Sequence, residues 1–104
     1  MQKYKIFYTS VAEGDLMQIV DYLSDYDINA AHHFLDALES LEKQLSVFPF
    51  SVPVSTHRSL MLRGYRVATL SDYLVFCKVE NTTVIVMNII HEKRDYIKVL
   101  LTNN

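Results

Sequence analysis

The sequence predicts an α+β domain in which an antiparallel sheet lies under an N-terminal helical hairpin, in the order β-α-α-β-β-β. The hydrophobic pattern carries this prediction: it alternates in the first ten residues, takes helical spacing up to about residue 48, and alternates again from about residue 60. The chain has 104 residues, half of them hydrophobic. One hydrophobic core fits this length, so residues 1–104 are expected to form a single domain.

The first two elements follow directly from local patterns. The alternation in "KYKIFYTS" predicts a strand over about residues 3–9. Ser10 followed three residues later by Glu13 matches a capping box, so a helix is expected to begin there with Ser10 as its N-cap. Apolar residues then recur at helical spacing, which predicts that this helix continues to about Tyr26.

The second helix is predicted from a longer apolar stripe. Asn29 is its expected N-cap, and Phe48-Pro49 is expected to end it because proline cannot continue a helix. The short connection to the first helix favours an antiparallel hairpin. The residues of the stripe are Ala31, Phe34, Leu35, Leu38, Leu41 and Leu45.

Three strands are predicted after an irregular loop, "PFSVPVSTH". They are "LMLRGYRVATL", interrupted at Gly64, then "YLVFCKVE" and "VIVMNII". The polar connections "SD" and "NTT" are short enough for the tight turns of an antiparallel meander. The tail "EKRDYIKVLLTNN" is compatible with either a short helix or an extra edge strand.

Charge and composition indicate which partners and which cellular location to expect. Residues 11–47 carry eight acidic side chains and one lysine, whereas residues 48–104 carry seven basic and four acidic ones. An anionic partner would therefore meet the C-terminal half, although the acidic segment is equally compatible with a solvated helix face. The single cysteine, Cys77, excludes an internal disulfide and favours a reducing compartment. The sequence shows no signal peptide and no membrane-spanning run, so a cytoplasmic protein without membrane contact is expected.

The last predicted strand runs directly into "HEKRDY". With this ending, and with "YTSVAEGDLMQIVDYL" near the start, the chain resembles the RelE/ParE superfamily of toxins from bacterial type II toxin–antitoxin pairs. The resemblance covers nearly the whole chain, and "DYLVFCKVENTTVIVMNIIHEKRDY" is similar to the C-terminal hairpin of that superfamily. It implies a RelE/ParE-like fold and a cognate antitoxin as partner. It also implies a protein that is a monomer or dimer when free and a hetero-oligomer with its antitoxin.

The superfamily implies two different activities. RelE-like members cleave mRNA on the ribosome without a metal, and ParE-like members act on DNA gyrase. Cleavage through the 2′-hydroxyl needs a base, an acid and cations around one phosphate. His91 is the candidate acid or base, and the resemblance carries over Arg94 and Tyr96 as the arginine and tyrosine of such a site. Lys93 would add positive charge. No cofactor and no metal are expected.

Structural interpretations of the same residues stay open. His91 is equally compatible with a structural histidine at the end of a buried strand. Arg94 is compatible with an ion pair to Asp95, and Tyr96 with packing beneath the tail.

Two departures from the superfamily patterns bear on the activity. Leu74 stands where RelE-like nucleases are expected to have an arginine, and Asn88 stands where ParE-like sequences often have one. The remaining candidate contacts to a target or nucleic acid are Arg58, Arg63 and Arg66, and a bulge at Gly64 would decide which of them face the same way. A sequence pI near 6.0 is low for an RNA-binding protein.

These features favour DNA gyrase over the ribosome with mRNA as the target. The alternatives are a ribosome-dependent mRNA endonuclease, and a degenerate, non-toxic module that keeps only an antitoxin-binding surface. Whether the protein is an enzyme therefore stays open. Three smaller predictions concern an inert, buried Cys77, surface positions for His32 and His33, and packing roles for Tyr22 and Tyr26.

Overall fold

The protein folds in the predicted element order, with two short helices added. The computed structural model describes residues 3–102; residues 1–2 and 103–104, which the predicted single domain includes, lie outside the described part. The strands and helices are β1 (Lys5–Tyr8), α1 (Ser10–Tyr26), α2 (Ile28–Val47), α3 (Arg58–Leu62), β2 (Arg66–Leu70), β3 (Tyr73–Glu80), β4 (Thr83–His91) and α4 (Tyr96–Thr102). One 3₁₀ turn, Pro49–Ser51, follows α2.

The four strands form one sheet in the order β1-β4-β3-β2. The β2-β3-β4 meander is antiparallel, as predicted. β1 instead lies parallel to β4, with Lys5 opposite Thr83, so the sheet is mixed rather than wholly antiparallel. A parallel pair requires a long connection between its strands, and here the hairpin and the two middle strands supply it.

Both long helices begin at a different cap from the predicted one. Thr9 caps α1, because its hydroxyl oxygen accepts a hydrogen bond from the amide of Ala12 at 3.0 Å. Asp27 caps α2 by accepting one from the amide of Asn29 at 2.9 Å. Ser10 and Asn29 therefore lie inside the first turns of the helices instead of preceding them.

The main core lies between the helical hairpin and one face of the sheet. Five of the six predicted stripe residues of α2 are buried, and the exception, Leu35, is 40% exposed. The sheet contributes alternate positions of β3 and β4, among them Val75, Cys77 and Val84, each with no exposed surface. The hydroxyl of Tyr8 also donates to a carboxylate oxygen of Glu42 at 2.6 Å, which joins β1 to α2.

The opposite face of the sheet is partly covered by the two short helices. Phe76 and Leu60 are completely buried there, together with Tyr65, Ile90 and Leu100. The prediction of a strand through residues 60–63 is therefore wrong: this segment is α3, whose one inward residue is Leu60. Gly64, at φ +85°, provides the left-handed turn that redirects the chain from α3 towards β2. The tail is the helical alternative, α4.

A β-bulge at Met87 interrupts the alternation of β4. Phe76 lies opposite Asn88, and the next residue, Cys77, lies opposite Val86, so Met87 is the extra residue. Val86 and Ile89 consequently both face the main core, although three positions separate them. The bulge keeps the polar side chain of Asn88 out of the core beneath the hairpin.

Candidate functional site

His91 ends β4 on the face of the sheet that the helical hairpin covers. Its ring meets the ring of Tyr73 edge to face, with centroids 5.2 Å apart. Its Nδ1 accepts a hydrogen bond from the amide of Lys93 at 3.1 Å. This hydrogen bond occupies the lone pair of Nδ1. While it persists, Nδ1 is not available to remove a proton from a substrate.

Arg94 lies in the turn after β4, and its side chain is exposed. The amide of Arg94 donates to the carbonyl of His91 at 3.0 Å, which fixes the turn. The guanidinium is close enough to Asp15 for its positive charge to favour the ionised carboxylate. Lys93 is also exposed. His91, Lys93 and Arg94 are therefore brought together at one end of the sheet.

Asp15 is a member of this neighbourhood that the sequence analysis missed. One of its carboxylate oxygens accepts a hydrogen bond from the amide of Ile89 at 2.9 Å, although the two residues belong to α1 and β4. Partial burial raises the pKa of Asp15, and this effect outweighs the hydrogen bond from Ile89 and the charge of Arg94, which both lower it. The sequence indicated only that Asp15 is an acidic residue of the first predicted helix, next to Leu16 of its apolar stripe.

Tyr96 lies on the other face of the sheet. It begins α4, is half-buried, and packs its ring against Phe76 with centroids 5.4 Å apart. His91 belongs with Ile89 on the hairpin side, whereas Tyr96 belongs with Ile90 and Phe76 on the α4 side. The three candidate catalytic residues therefore do not converge on one point: His91 and Arg94 are neighbours, and the sheet separates His91 from Tyr96.

Arg66 is far from this cluster and is engaged elsewhere. Its guanidinium donates to the carbonyl of Val52 at 2.7 Å and lies over the ring of Phe50 at 5.0 Å. Leu70, the residue of β2 that is level with His91, lies four steps along the strand from Arg66, so the distance along the sheet is about 13 Å. Arg66 holds the loop after α2 against β2.

Arg58 and Arg63 lie at the two ends of α3, and both side chains are exposed. Burial raises the pKa of the Tyr65 hydroxyl, and the charge of Arg63 partly opposes this. The ammonium of Lys78 lies 4.6 Å from the centre of the Tyr65 ring. Arg63 and Lys78 thus place positive charge near Tyr65, on the face of the sheet opposite His91.

The two positions without the expected arginines are both partly buried. Leu74 packs against the cluster beneath α4. Asn88 lines a cavity of about 210 Å³ between β4 and α4, together with Met87 and Leu100. Neither position therefore supplies a cation near His91.

The smaller predictions have mixed outcomes. His32 and His33 are exposed, as expected. Cys77 is buried, and burial raises the pKa of its thiol to about 11, which agrees with an inert side chain. The prediction that Tyr22 and Tyr26 pack against the core is wrong, because they are 65% and 82% exposed. Among residues 3–102, no cluster of three His, Cys, Asp or Glu side chains could hold a metal, and no helix is long and apolar enough to cross a membrane.

The comparisons with known proteins identify the class of protein that has this fold. The model of the family described as "ParE toxin of type II toxin-antitoxin system, parDE" matches residues 6–96. This chain therefore belongs to the ParE toxin family, which confirms the resemblance seen in the sequence. A search of curated proteins found no significant match.

Solved structures share the fold at low sequence identity. The chromosomal ParDE system of P. aeruginosa contains a chain with a TM-score of 0.68 and 16% identity, covering 86% of this chain and 96% of that one. The RelBE2 toxin–antitoxin complex of Mycobacterium tuberculosis contains a chain with a TM-score of 0.59 and 24% identity, covering 88% of this chain and 93% of that one. YafQ from E. coli has a TM-score of 0.56 and 16% identity, covering 86% of this chain and 94% of that one.

Proposed function

We propose that this protein is a ParE-like toxin that arrests growth by acting on DNA gyrase in the cytoplasm, and that a cognate antitoxin neutralises it. The observation that carries the choice of target is the placement of His91 and Tyr96 on opposite faces of the sheet. Cleavage of RNA without a metal requires acid and base groups within hydrogen-bond reach, about 3 Å, of the same reacting phosphate. Two groups that the sheet separates do not meet this requirement.

The surroundings of the individual residues support the same choice. The amide of Lys93 occupies Nδ1 of His91, and the ring of Tyr96 packs against Phe76. Arg94 and Lys93 stay exposed at the end of β4, where they suit contact with a large anionic or acidic partner better than they suit acid–base chemistry.

An antitoxin partner is supported by the kind of neighbours that share this fold. The P. aeruginosa structure is described as a ParDE system, and the M. tuberculosis structure as a toxin–antitoxin complex. A domain of this size also leaves apolar side chains uncovered, among them Phe7 and Phe48. Covering such residues is what a tightly bound partner does.

The test is expression of the protein without any antitoxin, followed by two assays. We expect growth arrest with an intact reporter mRNA in primer extension, and inhibition of DNA supercoiling by purified gyrase when the purified protein is added. Arg94→Ala should weaken both the arrest and the inhibition, because it removes the exposed guanidinium next to His91. Lys43→Ala, which removes an exposed cation of α2, is the matched control and should leave both unchanged.

Two outcomes would overturn the proposal. New 5′ ends in register with codons, lost in Arg94→Ala, would establish mRNA cleavage instead. Normal growth with undisturbed supercoiling, at a protein level at which the chain is folded, would identify a non-toxic module.

A further inference from the structure

A cavity of about 490 Å³ opens where the turn of the helical hairpin faces the β2–β3 turn. Its walls are largely aromatic. The side chains that matter for its chemistry come from five elements or turns and are Tyr22, Tyr26, Phe34, Asp72, Tyr73 and His91. A cavity of this size accepts a long side chain together with part of the backbone that presents it.

The floor of the cavity is held in place by ring contacts. Tyr73 is buried, and its ring meets Phe34 at 5.3 Å and His91 at 5.2 Å, both edge to face. Tyr22 and Tyr26, which lie one turn apart on α1, form the rim and remain largely exposed. Two exposed tyrosines in successive helical turns, beside a preformed aromatic floor, leave ring faces uncovered that no other described residue uses.

Among the described residues, the lining of the cavity contains one carboxylate, that of Asp72. Asp72 lines the cavity, and it shifts the pKa of Tyr73 upwards, in the same direction as the larger effect of burial and the effect of Tyr22. Asp21, Asp25 and Asp27 are close to Tyr22 and Tyr26 in the sequence but do not line the cavity.

His33 and His91 line the cavity as well, whereas no lysine or arginine of residues 3–102 does. The charge of Arg94 acts on Asp15, where it partly opposes the rise in pKa that burial causes. A lining with one carboxylate and no lysine or arginine from the described part of the chain favours a cation in the cavity.

We propose that this aromatic cavity binds the cationic side chain of an arginine or lysine presented by a protein partner. The negative faces of aromatic rings attract guanidinium and ammonium groups, most strongly where several rings surround the cation. Asp72 at the rim then pairs with the charge, and the long apolar stem of either side chain packs against Phe34 and the tyrosines. The proposal is independent of the identity of the toxin's target, so each can fail without the other.

The experiment is an NMR titration of the labelled, full-length protein with three short peptides. They are acetyl-Gly-Ser-Xaa-Ser-Gly-amide with arginine, lysine or citrulline at Xaa; citrulline has the shape of arginine without its charge. We expect saturable shifts of amides around Tyr22, Asp72 and Tyr73 with the two cationic peptides, and none with citrulline. Equal binding of the citrulline peptide, shifts confined to other surfaces, or no saturable shift would each overturn the proposal.

Variants separate the rings from general surface effects. Replacing both Tyr22 and Tyr26 by leucine removes two ring faces while keeping apolar bulk, and should weaken binding of the arginine peptide by about fivefold or more. Replacing both by phenylalanine keeps the ring faces and should retain most of the binding. Met17→Leu, at an exposed position of the same helix outside the cavity, is the control. If the leucine pair binds as tightly as the unmodified protein, the tyrosines are not part of a cation site.

Discussion

Asp15 shows how a single side chain connects the N-terminal helix to the cluster after β4. β1 ends at Tyr8, opposite Val86, so the remainder of β4 has no strand on that side. Thr9 and Asp15 replace the missing strand, since the Thr9 hydroxyl donates to the carbonyl of Met87 and Asp15 accepts from the amide of Ile89. The position of His91 and Arg94 therefore depends on α1 as well as on their own strand.

The raised pKa of Asp15 leads to a prediction about pH. A carboxyl group whose pKa is higher in the folded state than in the unfolded state costs stability when ionised. This cost is complete above the folded pKa and disappears as the pH falls towards the unfolded value of 3.8. Asp15→Asn should therefore be more stable than the unmodified protein at about pH 7, with the difference shrinking towards about pH 4. Urea unfolding across this range measures it.

Asp15→Ala is the control for the hydrogen bond. An asparagine oxygen can still accept from the amide of Ile89, whereas alanine leaves that amide without this partner and should be about 1–2 kcal/mol less stable than the asparagine variant. If Asp15→Asn is as unstable as Asp15→Ala at every pH, the charge of Asp15 does not cost stability and the prediction is wrong.

At the scale of single elements, local patterns predicted the long elements well and the short ones poorly. The apolar residues at helical spacing located both long helices, because this spacing repeats over many residues. Both predicted N-caps were wrong. The five residues of α3 are too few to show a period, so Leu60 and its neighbours resembled a strand. The bulge at Met87 also left no local signal, because it depends on pairing between β3 and β4.

The N-cap of α1, Thr9, gives a test at the scale of a single element. Thr9→Ala should lower the free energy of unfolding by about 1–2 kcal/mol, because it removes the cap of α1 and also the hydrogen bond to Met87. Ser10→Ala should change it by less than about 0.5 kcal/mol, since Ser10 is exposed and lies inside the helix. Thermal or urea unfolding of the two variants checks this. The reverse order of effects would restore Ser10 as the cap.

The candidate site was predictable in position but not in geometry. Its place at the end of β4 follows from the sequence, because "HEKRDY" directly follows the most apolar run. The separation of His91 and Tyr96 does not, because it depends on the path of the turn between them and on the packing of α4 against Phe76. The cavity beneath Tyr22 and Tyr26 was equally hidden, since it forms only when the hairpin meets the β2–β3 turn.

At the scale of the whole molecule, the two apolar clusters share the same sheet and should unfold together. Cys77 belongs to the main core and its neighbour Phe76 to the cluster beneath α4. We expect Cys77 to stay unreactive towards a thiol reagent in the folded protein, because it is buried and its thiol pKa is raised to about 11.

Thiol reactivity in increasing urea should then rise at the same midpoint as the loss of helical circular dichroism. The Cys77→Ser variant provides the unreactive baseline for the reagent. An earlier loss of helix than of thiol protection would indicate that one cluster opens separately from the other.

The parallel pairing of β1 with β4 has a consequence for synthesis of the chain. β1 leaves the ribosome well before its partner β4, because 74 residues lie between the two strands. At roughly 5–20 residues per second, several seconds separate the two. During that interval the nascent chain has neither a complete sheet nor the segment with His91 and Arg94. A cell that makes this toxin therefore completes the sheet, and the surface with His91 and Arg94, only after β4 has been made.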